Sequence, residues 1–94
     1  MSVGEILAAK VVVRNKLGLH TRPAAELVRL AARYECTIAI SNGDKTVNGK
    51  SIMGVMTLAA NQGTVLTIEA VGTDATEALV QLGGLFGSNF GEER

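Results

Sequence analysis

The chain has 94 residues, 47% of them apolar and only 3% aromatic, and its nine basic residues are matched by nine acidic ones. This length allows one small domain, residues 1–94 with an ordered part of about 8–90, and a single core that must be aliphatic and alanine-rich; the apolar content excludes a disordered chain. The charge balance lacks the basic footprint of a nucleic-acid binder, and the absence of a long apolar run or signal sequence leads us to expect a cytoplasmic protein without membrane insertion.

Ala8 to Arg14 contains Val11-Val12-Val13, a β-branched run that reads as a first strand with Val11 and Val13 inward. Asn15-Lys16-Leu17-Gly18 is turn chemistry. From Pro23 the period becomes helical: Ala24, Leu27, Val28 and Ala31 fall on one stripe, with Glu26, Arg29 and Arg33 opposite. Proline suits a first helical turn and disfavours helical dihedrals at residue 22, so the helix is expected to start between Thr21 and Pro23 and to end near Tyr34. Thr37 to Ser41 alternates, with Ile38 and Ile40 inward; Asn42-Gly43 is a tight-turn signal, and Lys45 to Asn48 follows as a short strand.

Ser51 is a good N-cap for a short helix from Ile52 to about Ala60, closed by Asn61-Gln62-Gly63, with Val55, Leu58 and Ala59 available for its buried face. Thr64 to Val71 is a strand with Leu66, Ile68 and Ala70 inward. Asp74 followed by Glu77 resembles a capping box that opens a last helix with an apolar stripe of Ala75, Leu79, Leu82 and Phe86. Gly83, Gly84 and Gly87 weaken that helix, which is expected to end near Leu82 to Phe86, with Gly91 to Arg94 a solvated end. Helices this short must pack on a sheet. The expected fold is α+β: an open-faced β-sandwich of order β-α-β-β-α-β-α, with a four-stranded, mostly antiparallel sheet and three helices on one face.

Gly18-Leu19-His20-Thr21-Arg22-Pro23-Ala24 holds the only histidine and the only proline, and lies where the β pattern gives way to the helical one. The first N–H groups of a helix are unsatisfied and form an anion site. Arg22 adds a planar fork of donors suited to phosphate oxygens. A neutral imidazole offers a lone pair. Reversible phosphorylation of His20 is the chemistry this setting suits best, with Gly18, Thr21, Pro23 and Ala24 as the phosphate cradle. Other sets are missing: no second histidine or cysteine pair suggests a metal, no serine stands in a nucleophile context, and no nucleotide-binding loop occurs. The chain therefore needs an external phosphoryl donor, and no cofactor is expected. Cys36, beside Glu35 and without a basic neighbour in sequence, reads as a small half-buried apolar residue at a strand entry rather than a nucleophile.

The stretch Gly18 to Ala24 resembles the active-site signature of the histidine-containing phosphocarrier (HPr) family of the bacterial phosphotransferase system. Lys50-Ser51-Ile52-Met53-Gly54-Val55-Met56 is similar to that family's second motif, Gln62-Gly63-Thr64 and the following strand also fit, and the resemblance runs from about Lys10 to Phe90. It implies that His20 accepts a phosphoryl group on Nδ1 from phosphorylated enzyme I and passes it to a histidine of an enzyme IIA domain, with Arg22 steadying the group. It implies a regulatory phosphorylation of Ser51 by an HPr kinase/phosphorylase, beside the N-cap role. It implies partner docking through the first two helices, by Thr21, Ala25, Arg29, Lys50, Ile52, Met53 and Met56, with Arg22, Arg29 and Lys50 as a basic rim.

Such a protein is a stoichiometric carrier rather than an enzyme. Asn15 to Gly18 and Leu85 to Phe90 are more similar to the nitrogen-related branch, Ser51 to Met56 to the sugar-transport branch, and Gly83 and Gly84 depart from most relatives. The alternative, from another class, is a regulatory interaction module whose phosphorylation at His20 and Ser51 controls binding to target proteins.

Overall fold

The computed structural model describes residues 4–92. Strands β1 (Leu7–Val12), β2 (Thr37–Asn42), β3 (Lys45–Asn48) and β4 (Val65–Val71) form one sheet in the order β1-β4-β2-β3, and each neighbouring pair is antiparallel. Helices α1 (Thr21–Ala31), α2 (Ile52–Met56) and α3 (Ala75–Gly87) are followed by one turn of 3-10 helix, Asn89–Gly91.

The period-two pattern of the strands explains the layers. Ile38, Ile40, Leu66, Ile68 and Ala70 are buried, with Val11 and Val13 beside them, while Lys10, Val12, Thr37 and Val65 are exposed. The register sets Val11 opposite Leu66 and Ile40 opposite Ile68, so the inward residues of three strands meet. Ala24, Leu27 and Ala31 of α1 and Ala75, Ala78, Leu82 and Phe86 of α3 complete that core. Each large aliphatic side chain removed from water contributes about 1.5–3 kcal/mol. α3 lies over β1 and β4, and α1 packs against both α2 and α3. The open-faced sandwich is the one expected.

Several local expectations are corrected. α2 is five residues long: after Met56 the backbone tightens, Leu58 and Ala59 donating to the carbonyls of Val55 and Met56, and Ala59 then takes a positive φ of 50°. Ala59 is exposed, and Ala60 joins Val55 and Leu58 in the core instead. Gly63 does not close that helix; it sits in the turn before β4 and donates its N–H to the Val13 carbonyl at 2.7 Å. The hairpin turn is centred on Gly43 and Asp44, since Asn42 still pairs with Lys45. Arg22 is helical although a proline follows it, in a first turn that buries Pro23 and Ala24. Ser51 does cap α2, accepting from the Gly54 N–H at 3.1 Å. Ser51→Ala is expected to cost about 1 kcal/mol in urea unfolding, with the m-value unchanged.

The last third differs most from expectation. α3 does not stop early: it runs to Gly87, and the chain then turns so that Phe90 is buried edge-on against Phe86, ring centroids 4.9 Å apart. Burying a second aromatic ring offsets glycines that each cost about 1 kcal/mol. Of the expected solvated end, Glu92 is instead drawn into the protein, and residues 93 and 94 lie outside the described residues.

Asp74 makes no capping box, because its carboxylate turns away from α3 and accepts from the backbone N–H groups of Glu35 and Cys36, at 2.8 and 2.9 Å. The Glu35 N–H, with help from Cys36, outweighs desolvation and holds the Asp74 carboxyl below its usual range. Stability from such a group is present above its unfolded pKa and is lost as pH falls through the lowered folded value. Asp74→Asn is therefore expected to lower Tm at pH 7 and to leave a smaller further drop than wild type on acidification to pH 3. Cys36 is fully rather than half buried, and burial, together with Asp74, pushes its thiol pKa up, away from nucleophilic use.

Candidate functional site

The site grows from the chain leaving β1. Val13 extends the strand's hydrogen bonding by donating to the Thr64 carbonyl at 2.9 Å, and Asn15 then turns the backbone, its carbonyl accepting from the Gly18 N–H at 3.0 Å. Gly18 has φ +69°, and a Cβ there would lie 2.4 Å from the Ala60 oxygen. Only glycine meets both demands. Leu19 follows, buried, with its N–H on the same Ala60 oxygen at 2.9 Å. These fastenings fix the next residue, His20, as the extended N-cap of α1 (φ −76°, ψ −174°), its carbonyl taking the Ala24 N–H at 3.0 Å. The imidazole does not cap its own helix, and its side chain is 35% exposed.

Glu92 binds this ring. Its Oε2 lies 2.8 Å from His20 Nε2 and accepts from Arg22 Nε at 2.8 Å. Its Oε1 accepts from Asn15 Nδ2 at 2.8 Å, and the same amide donates to the Gly18 carbonyl at 2.7 Å. The rest of the Arg22 fork donates to Glu26 Oε1 and to the Phe90 carbonyl, both at 2.7 Å. Desolvation pushes the Glu92 carboxyl up, but the donors Asn15, Arg22 and His20 outweigh it and hold the group below the usual carboxylate range. The hydrogen bond to Glu92, against desolvation, raises the Arg22 guanidinium pKa further, so it is a fixed cation. Asn15 is fully buried and its amide orientation is set by two acceptors; its Oδ1 has no partner among the described residues.

His20 and Arg22 are thus brought together through a shared carboxylate oxygen. Few of the groups expected to form a phosphate cradle carry an open N–H. The Gly18 and Ala24 N–H groups are used internally, Pro23 has none, and the groups left without an intrahelical acceptor are those of Thr21 and Arg22. Gly18, Pro23 and Ala24 are buried supports beneath them. Among the expected docking residues, Thr21, Arg29, Ile52 and Met56 are exposed, as is Met53 at 78%, whereas Ala25 is half-buried; Ser51, the expected regulatory site, is half-buried. Lys50 is half-buried too, its ammonium donating to the Tyr34 carbonyl. Arg22 is not an open part of a basic rim, since Glu26 and Glu92 neutralise it. Asn15 and Glu92 were missed from sequence: the first read as a plain turn residue, and nothing local marks the second, which lies 72 positions from His20.

The family model described as PTS HPr component phosphorylation site matches residues 7–88. The chain belongs to the HPr family. Membership makes it a phosphocarrier of the phosphotransferase system. It is 42% identical over 88 residues to the phosphocarrier protein HPr of Xylella fastidiosa, covering 94% of this chain and 99% of the relative. It is 40% identical to that of Neisseria meningitidis, covering 93% and 98%. The HPr-like protein Crh of Bacillus subtilis is 48% identical over 73 residues, 78% of this chain and 86% of Crh. Among solved structures, HPr-C-His from Thermoanaerobacter tengcongensis superposes with a TM-score of 0.90 at 42% identity, covering 94% of this chain and 99% of the other. No helix among the described residues is long and apolar enough to cross a membrane.

Proposed function

We propose that His20 is the phosphoryl acceptor of this HPr protein and that it hands the group on to an enzyme IIA domain after taking it from phosphorylated enzyme I. The observation that carries this reading is the pairing at the start of α1: one carboxylate oxygen touched by both groups holds the Arg22 cation beside the His20 ring at a helix N-terminus, so a fixed positive charge stands next to the imidazole. Nδ1 makes no hydrogen bond among the described residues and is free to act as nucleophile. Thr21 and Arg22 N–H groups would meet the new charge, and the Arg22 guanidinium would exchange a carboxylate for a phosphate. Ile52, Met53 and Met56 offer an apolar surface that can adapt to more than one partner. Arg29 would steer acidic faces toward it.

A second reading rests on the similarity to Crh, a solved form of which is described as the Bacillus subtilis catabolite repression HPr. In it, phosphorylation of the half-buried Ser51 by an HPr kinase/phosphorylase changes the charge beside the docking helix and thereby the choice of target protein.

Incubation with phosphoenolpyruvate and enzyme I separates the readings. The carrier reading expects acid-labile label on wild type, none on His20→Ala, and onward transfer to a IIA domain. Equal label on both proteins would overturn it, and labelling without any transfer would favour the regulatory reading.

A further inference from the structure

Glu92 lies beyond residue 88, where the match to the family model ends, yet it makes the most direct side-chain contact to His20. We propose that Glu92 is a positioning residue for the phosphoryl transfer: its carboxylate holds the His20 proton on Nε2 and so presents the Nδ1 lone pair to the incoming phosphorus. This inference rests on the reading of His20 as the acceptor.

The argument starts from hydrogen-bond polarity. An ionised carboxylate can only accept, so a 2.8 Å contact between Glu92 Oε2 and His20 Nε2 requires the hydrogen to sit on Nε2. Glu92 stays ionised because Asn15 and Arg22 both donate to it. The hydrogen bond made by one ring nitrogen sets the state of the other. In the neutral ring Nδ1 then keeps its lone pair.

In the transfer that lone pair forms a bond to phosphorus. The bond from phosphorus to the donor atom breaks, and its electron pair returns to the donor. The proton on Nε2 stays where it is, and the ring gains positive charge, directly facing the Glu92 carboxylate. A carboxylate placed behind an imidazole acts in this way in hydrolytic triads, orienting the ring and stabilising its cation.

The support for Glu92 is built rather than incidental. Asn15 is fully buried, and its amide ties the Glu92 carboxylate to the Gly18 turn that carries His20. Phe90, buried two residues before Glu92, anchors the segment, and its carbonyl takes Arg22.

The test uses the full chain with its single histidine labelled with nitrogen-15. In wild type the Nε2 proton should be protected from exchange and visible by NMR. In Glu92→Ala it should be lost to exchange, and labelling by enzyme I should slow by roughly tenfold, the lower end of the loss when a partner that orients a metal-binding imidazole is removed. Glu92→Gln sets an amide against either Asn15 or Arg22, donor against donor, and should behave like Glu92→Ala. Glu92→Asp keeps the charge and should restore part of the protection and rate. An unchanged Nε2 signal and labelling rate in Glu92→Ala and Glu92→Gln, in a wild type that labels normally, would overturn the inference and leave the carrier reading intact. The ring signal is read before any phosphorylation, so it decides the contact even if wild type fails to label, a result that would sink the carrier reading instead.

Discussion

Gly18→Ala is expected to lower the stability of the protein by roughly 3–6 kcal/mol and to slow phosphoryl acceptance in the molecules that still fold. Three costs coincide. The residue has φ +69°, where a Cβ costs about 1–2 kcal/mol. The new carbon would lie 2.4 Å from the Ala60 oxygen, and relieving a backbone clash costs about 1–3 kcal/mol. The movement needed also strains the Leu19 N–H bond to that oxygen, worth about 1 kcal/mol. In a domain with about 5–15 kcal/mol to lose, this is a large fraction. Gly43→Ala is the matched control: its φ is +62°, but nothing lies within 4 Å of the Cβ position, so only the first cost should appear. Urea unfolding of the two variants side by side checks this, and equal losses would show that the close approach to Ala60 contributes nothing.

Phe90→Ala should cost roughly 2–3 kcal/mol, below the ~3–5 kcal/mol usual for a buried phenylalanine, because the turn carrying it can detach before the whole domain unfolds. Phe90 is buried against Phe86 and adopts φ 55°, an unfavourable value that only firm packing sustains. Losing the ring should free residues 88–92 and take Glu92 away from His20. Amide hydrogen exchange would read this as fast exchange confined to that segment, with β1, β2 and β4 still protected. Protection unchanged at Gly91 and Glu92 would mean the segment is held by Arg22 and Asn15 alone.

Much of the fold was legible because its signals are local. Ile38 and Ile40, and Leu66, Ile68 and Ala70, alternate in sequence and are buried in the structure. The Ala24–Leu27–Ala31 stripe is the buried face of α1, and Ser51 caps α2 as its residue type suggested. His20 stands where the change of period placed it, at the start of a helix.

What sequence did not disclose is long-range. The sheet order β1-β4-β2-β3 inserts the last strand between the first two, which no local pattern encodes. Asp74 looked like a cap for its own helix but serves Glu35 and Cys36 across the fold. The glycines of α3 argued for an early end, and their cost was outweighed by Phe90, whose burial depends on a chain reversal at residues with positive φ. Glu92 depended on all of this. Once Phe90 is packed, the Glu92 carboxylate meets Asn15, Arg22 and His20.

The most direct measurement is nitrogen–phosphorus coupling on the His20 ring after phosphorylation by enzyme I. With Nε2 held by Glu92 and Nδ1 open, the phosphorus is expected to couple to Nδ1 of His20 in a single product. Phosphorus bonded to Nε2, or a stable phosphate carried by Ser51 with His20 unmodified, would contradict it.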